Sequence, residues 1–294
     1  MPQITANNLQ IEYEAFGAES APAILLIMGL GAQLARWNIE LCEALVDRGY
    51  RVIRFDNRDC GLSSKLDQAG VPDVGRALRT GTPLVAPYTL EDMAADCIGL
   101  LDALGIAKAH VVGASMGGAI AQIVAALYPQ RTLSLTSIMS TSSHPDLPPP
   151  TPAAAQALMA PLPPTRDKEA LIEDAIRRQL AVASPEFPSC PQRLRNLFTE
   201  EHERGFYPRG VTRQLAAFLA SGDRRALLAT ITAPTLVLHG ADDPLIPIAC
   251  GYDVAAHIPG AEMRVIEGMA HDFPVALTDV FADAIASVAQ AAAA

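Results

Sequence analysis

The sequence predicts an α/β protein: a mainly parallel sheet with helices on both faces, interrupted once by a helical insertion. Three observations predict it. Short apolar runs that end at glycine alternate with stretches of helical periodicity as far as Met139. The texture then changes, with eight prolines between Pro145 and Pro164, which no central strand tolerates. The strand–helix rhythm resumes at Thr235 and runs to the end of the chain.

Ile11–Phe16 alternates in character and stops at Gly17, as an antiparallel strand exposed on one face would. Ala23–Met28 is apolar throughout and ends at Gly29, which suits a strand covered on both faces. A helix follows over about 38–48, with Leu41, Leu45 and Val46 on one side and Gly49 as its stop. Arg51–Phe55 is the next strand. After a long loop, Thr89 caps a helix that reaches about Leu104 and stops at Gly105. Asp92 stands where a capping box takes glutamate or glutamine, so the box is expected to be approximate. Ala109–Gly113 reads as a short buried strand, Met116–Leu127 as an Ala- and Gly-rich helix, and Leu133–Met139 as another strand. Helical patterns occupy about 168–182, 191–203 and 211–219 of the proline-rich block. Strands at Thr235–Leu238 and Glu262–Ile266 then alternate with helices at Ile248–His257 and Pro274–Ala291. The expected organisation is a core domain of residues 1–143 and 231–294, with 144–230 as a helical cap.

Composition narrows the function. Half of the residues are apolar and 18% are charged, ample for a buried core. A formal net charge of -10 repels phosphate backbones and suits anionic membranes poorly, so neither nucleic acid nor membrane is expected as a partner. Cys42, Cys60, Cys97, Cys190 and Cys250 are odd in number, widely spaced and without a Cys-x-x-Cys pair, which supports neither zinc nor a disulfide framework. Reduced thiols and a cytoplasmic location are expected. The first residues lack the basic and apolar regions of a signal peptide. No apolar run reaches the roughly 18 residues that a membrane span needs. Oligomeric state has no sequence signal.

The chemical signal is Gly113-Ala114-Ser115-Met116-Gly117, a Gly-x-Ser-x-Gly nucleophile elbow between a predicted strand and a predicted helix. A tight, strained turn there lifts the Ser115 hydroxyl clear of the sheet, and the following helix aims N–H groups at the site. Serine at neutral pH needs a general base, and histidine needs a carboxylate to fix its tautomer. Of six histidines, His110 lies inside a strand, and His144, His202 and His257 lie in the insertion or late on a helix. His239 ends a strand. His271 and the pair Asp242/Asp243 stand in loops beyond strand ends, where catalytic groups of open α/β sheets gather.

With the elbow, His239-Gly240-x-x-Asp243 and Gly268-x-x-His271, the chain resembles the α/β-hydrolase superfamily over nearly its whole length. The resemblance implies a Ser115–His271–Asp243 triad, with Asp243 rather than Asp242 as the acid. Met28-Gly29-Leu30-Gly31 with Trp37, and Phe55-Asp56-Asn57-Arg58-Asp59-x-Gly61-x-Ser63, resemble the aclacinomycin methylesterase-like esterases, which implies a carboxylic ester substrate, including a methyl ester.

Ester cleavage also needs two fixed N–H donors for the oxyanion. One is expected at Met116, directly after the nucleophile; the resemblance places the other at Leu30. Many relatives carry His-Gly where this chain has Met28-Gly29. A dinucleotide loop at Gly29-Leu30-Gly31 fails because Leu34 takes the third glycine position. Asp56–Asp59 is expected to tie the loop beside the oxyanion strand, and Trp37 is a candidate pocket residue, with ordinary packing as its alternative. The expected reaction is acyl transfer through Ser115 on a small-molecule ester, without metal or organic cofactor. A carbon–carbon bond hydrolase, a lactonase or a perhydrolase uses the same triad, and a non-enzymatic ligand receptor uses the same fold.

Overall fold

The computed structural model describes residues 2–292. Among them, eight strands form one sheet: β1 Gln3–Ala6, β2 Leu9–Phe16, β3 Ala23–Ile27, β4 Arg51–Phe55, β5 Ala109–Ala114, β6 Thr132–Ile138, β7 Thr235–Gly240 and β8 Glu262–Ile266. Their order across the sheet is β1-β2-β4-β3-β5-β6-β7-β8. β1 pairs antiparallel with β2 and β2 antiparallel with β4; every later pair is parallel.

The apolar run of β3 is buried on both faces because alternate residues feed two separate cores. Leu25 and Ile27 join Met93, Leu100, Ile120 and Val124. Ile24 and Leu26 join Leu41, Leu45, Phe281 and Ile285. One face is thus covered by α1 Ile39–Asp47 and α11 Thr278–Ala291, the other by α3 Leu90–Ala103, α4 Met116–Leu127 and α10 Ile248–His257. From β3 the chain turns outward to β4, and from β5 it turns the other way to β6, so the strand order reverses between β3 and β5. A crevice opens beyond the carboxyl ends of strands at such a point.

Several boundaries differ from expectation for local reasons. β1 is too short to show periodicity; its signal is Asn7-Asn8, both at positive φ, which closes a tight hairpin to β2. Thr89 and Asp92 form a complete capping box, since the Asp92 carboxylate reaches the Thr89 N–H at 2.8 Å. α2 Val74–Thr80 fills part of the long loop, capped by Asp73. The final helix starts at Thr278 after a 3-10 turn.

Between β6 and β7 lie α5 Pro152–Met159, α6 Lys168–Leu180, α7 Pro191–Gly205, α8 Pro208–Ser221 and α9 Arg225–Leu228. Three of these helices start with proline at their first position, where the missing N–H costs nothing. Of the eight prolines between Pro145 and Pro164, Pro152 starts a helix and the others lie in the connecting loops; α8 begins three residues before its predicted start. This segment holds a small apolar cluster of Ile172, Leu194 and Phe198. Charged and polar pairs fasten it to the sheet: Arg213–Asp59 at 2.7 Å with both side chains fully buried, Arg204–Asp56 at 3.1 Å and Glu201–Arg36 at 2.7 Å. No helix of the described residues is long and apolar enough to cross a membrane.

Candidate active site

β5 and α4 meet at Ser115, whose φ of 56° and ψ of -123° lie far from ordinary L-residue backbone. The strain is held by close packing. A Cβ on Gly113 would stand 2.1 Å from the Gly117 carbonyl oxygen, and one on Gly117 would stand 2.1 Å from that of Ile27. Only glycine fits either place, which is why the elbow is flanked by it. The Ser115 N–H donates to Ile138 O at 3.0 Å, and the Ser140 hydroxyl donates to Ser115 O at 2.8 Å, so β6 fixes the turn from its other side.

The loop after β8 carries His271 onto this serine. Its Nε2 lies 3.0 Å from Ser115 Oγ, and its Nδ1 lies 2.7 Å from Asp243 Oδ2. Asp243 sits in the loop after β7, and its other oxygen accepts the Leu245 and Ile246 N–H groups at 2.9 and 2.8 Å. With its carboxylate accepting at Nδ1, the His271 imidazole carries its proton there and leaves Nε2 as an acceptor for the Ser115 hydroxyl. Burial alone would raise the Asp243 carboxyl, but His271 and His239 beside it reverse this and hold it well below the usual carboxylate range. Asp242, the neighbouring candidate, is exposed; its backbone N–H donates to Met269 O at 3.0 Å.

His239 is a partner that sequence reasoning left unassigned. It is fully buried beneath Asp243, with Nε2 donating to Ile246 O at 2.8 Å and lying 3.5 Å from Asp243 Oδ2. Its position one strand-end before the acid was visible; its contact with the acid depends on how the following loop folds back.

At the mouth of the crevice, Gly29 lies against Ser115: a Cβ there would be 3.0 Å from the Ser115 Cβ. The backbone N–H groups of Leu30 and Met116 have no hydrogen-bond acceptor among the described residues, whereas the adjacent Gly31 N–H donates to Gln214 of α8 at 2.8 Å. Met116 is the first residue of α4, so its N–H has no partner within the helix.

Trp37, the candidate pocket residue, is placed away from the cavity, whereas Asp56–Asp59 braces the loop as expected. Trp37 is fully buried and does not line the cavity; it packs behind Phe273 with ring centroids 4.7 Å apart, and Phe273 is the one that faces the cavity. Its neighbours Ala35, Arg36, Asn38 and Ile39 line the cavity while the Trp37 ring turns the other way, into the apolar core with Leu41 and Phe281. In Asp56–Asp59, Asn57 Nδ2 donates to Met28 O at 2.8 Å and Asp56 accepts from Leu34 N at 2.7 Å, which braces the loop beside Gly29. Arg58 pairs with Asp96 of α3 at 2.6 Å, and Asp56 and Asp59 take Arg204 and Arg213 of the insertion. The last two partners lie about 150 positions away in sequence, with no local signal.

Ser115 and His271 open into a cavity of about 990 Å³. Leu147, Leu158, Phe187, Leu197 and Phe218 from the β6–β7 segment face it, with Leu245 from the core. Its three arginines are each held by a carboxylate: Arg36 by Glu201, Arg54 by Glu14 and Arg193 by Glu40.

Comparison with known proteins agrees with this architecture. A family model described as the alpha/beta hydrolase fold matches residues 22–275. The chain is 30% identical to rhodomycin D methylesterase DauP of Streptomyces sp. (strain C5), over 98% of both proteins. It is 29% identical to the putative carbamate hydrolase RutD of Variovorax paradoxus, over 93% of both. In structure it is similar to an enol-lactonase from Burkholderia xenovorans, with a TM-score of 0.75, 23% identity and coverage of 98% of this chain and 100% of that one. The elbow, the sheet order and these likenesses converge on one conclusion: the chain belongs to the α/β-hydrolase family.

Proposed function

We propose that this hydrolase is a serine carboxylesterase that works through an acyl-enzyme on Ser115. The observation that carries the reading is the unbroken relay from Asp243 through His271 to Ser115, at 2.7 and 3.0 Å, ending in an apolar cavity. His271 takes the Ser115 proton as the hydroxyl attacks the ester carbonyl. The Leu30 and Met116 N–H groups receive the oxyanion; such donors are each worth about 3 kcal/mol of barrier. His271 then protonates the leaving alcohol, and water repeats the sequence to free the acid and Ser115. Asp243 stays ionised and keeps the imidazole in the tautomer that can accept from serine.

A methyl ester is the favoured substrate class, supported by the likeness to the methylesterase and by a cavity large enough for a bulky acyl group beside a small leaving alcohol. A substrate bearing a free carboxylate finds no unneutralised arginine in the cavity wall, which favours the ester reading over carbon–carbon bond hydrolysis of an acidic substrate by the same triad. The β6–β7 helices act as a cap that sets acyl-group preference. The complete relay argues against a non-enzymatic ligand receptor.

Short p-nitrophenyl esters, a panel of methyl esters and a fluorophosphonate probe test this together. Turnover is expected, with the probe on Ser115. Ser115→Ala should abolish labelling and lower kcat on the order of 10⁴- to 10⁶-fold without loss of folded protein. Asp243→Asn should cost about 10⁴-fold. Labelling elsewhere, or turnover that survives Ser115→Ala, would remove the proposal.

A further inference from the structure

Core and insertion divide the support of the loop that carries the base. On the core side, the N–H groups of Ala241 and Asp242 donate to Ile266 O and Met269 O, both at 3.0 Å. From Ala270 onward, the backbone contacts switch to the segment between α6 and α7. The His271 N–H donates to Val182 O at 2.9 Å, and the Ala270 N–H donates to Ser184 Oγ at 2.8 Å. The Ser184 hydroxyl in turn donates to Asp272 Oδ1, and the Ser184 N–H lies 3.2 Å from both oxygens of that carboxylate. Ser184 and Ala270 are buried, and Asp272 is only 9% exposed. Residues 270, 271 and 272 are therefore all bonded to two residues of the insertion.

We propose that Ser184 and Asp272 form a latch that positions His271, so that the base reaches Ser115 only when the α6–α7 segment is seated on the loop. Several features point to positioning rather than bulk packing. Ser184 Oγ acts at once as acceptor from the residue before the base and donor to the residue after it, a pair of roles that only a hydroxyl at this point fills. Among the described residues, buried Asp272 has no salt bridge to lysine or arginine and is hydrogen-bonded by Ser184; burial pushes its carboxyl up from the usual value, against the opposing pull of Ser184 and His271. A carboxylate so placed costs stability, and what it does here is hold the two segments in one register. The inference rests on the serine-hydrolase reading of His271. It adds that substrate-facing helices and the base are one mechanical unit.

The test compares Ser184→Ala, Ser184→Thr and Asp272→Asn by fluorophosphonate labelling rate and by kcat and KM on a short p-nitrophenyl ester too small to need the cavity wall. Ser184→Ala is expected to lower the labelling rate and kcat together by roughly 10- to 100-fold, the scale for displacing a reacting group by about 1 Å, with KM within twofold. Ser184→Thr, which keeps the hydroxyl, should recover most of that loss. Should Ser184→Ala not accumulate as folded protein, Asp272→Asn carries the same comparison. Unchanged labelling and kcat, a loss confined to KM, or a threonine variant as slow as the alanine one would each overturn the latch. Wild-type protein that does not label at Ser115 would instead refute the underlying hydrolase reading.

Discussion

The sheet and the β6–β7 insertion are held by different physics. The sheet is fastened by two continuous apolar layers, one on each face, in which no single contact is special. The insertion adds Ala217 and Leu228 to one of these layers and has a cluster of three buried apolar residues of its own; directional pairs complete its seat: Arg213 on Asp59, Arg204 on Asp56, Glu201 on Arg36 and Ser184 on Asp272. Apolar burial tolerates small changes in angle; a buried ion pair or hydroxyl does not. The difference shows how one chain can combine a rigidly held Ser115 with a pocket wall whose position relative to His271 is set residue by residue.

Removing Arg213 should produce the largest stability effect that separates the two regions. Arg213→Ala leaves the Asp59 carboxylate buried without its partner, at a cost of about 3–5 kcal/mol, measurable as a lower urea midpoint. Replacing both partners with apolar residues, Asp59→Leu with Arg213→Met, should recover most of that loss, because the charge that needed a partner is gone. If the double variant is no better than the single one, directional pairing is not what seats the insertion.

Acid sensitivity should separate the regions by pH window. In the sheet, His110 of β5 is buried against Ser134, and burial lowers its pKa to about 4. Its unfolded value is about 6.5, so as pH falls the unfolded chain takes up this proton first. The His110 contribution is therefore full above pH ~6.5 and is lost on the way down to pH ~4, by roughly 3 kcal/mol at most. Comparing wild type with His110→Gln in urea at several pH values isolates it; the two curves should converge as pH falls. Asp59 behaves differently: burial raises its carboxyl, but Arg213 and the Leu66 N–H more than reverse this, and the net shift is downward. Its contribution is full above the unfolded value of about 3.9 and is lost only as pH falls below that toward the folded value. That lower limb should be missing from Arg213→Ala. A His110→Gln protein with an unaltered pH profile between 4 and 6.5 would contradict the assignment for the sheet.

The smallest effect is expected from thinning the sheet core without opening it. Ile53→Val in β4 should cost about 0.5–1.5 kcal/mol by urea unfolding and leave the rate of fluorophosphonate labelling unchanged, since the layer relaxes around one lost methyl. A kinetic change there would mean that the sheet and the site are coupled more tightly than the latch at Ser184 requires.

The sequence alone determined the parts whose physics is local. The all-apolar run at Ala23–Met28 had to lie between two layers, and Gly113 and Gly117 had to flank a strained serine at a strand-to-helix junction. Strand-end placement likewise pointed to His271 and to one of two adjacent aspartates. The family resemblance chose Asp243 of the two; only the tertiary structure decided the rest: that His239 lies under Asp243, that Trp37 packs behind Phe273, and that Ser184 meets Asp272 across 88 positions. Periodicity, caps and turns are written in neighbouring residues. A contact between distant polar groups leaves no local mark, because its free energy exists only once folding has removed both groups from water and placed them together.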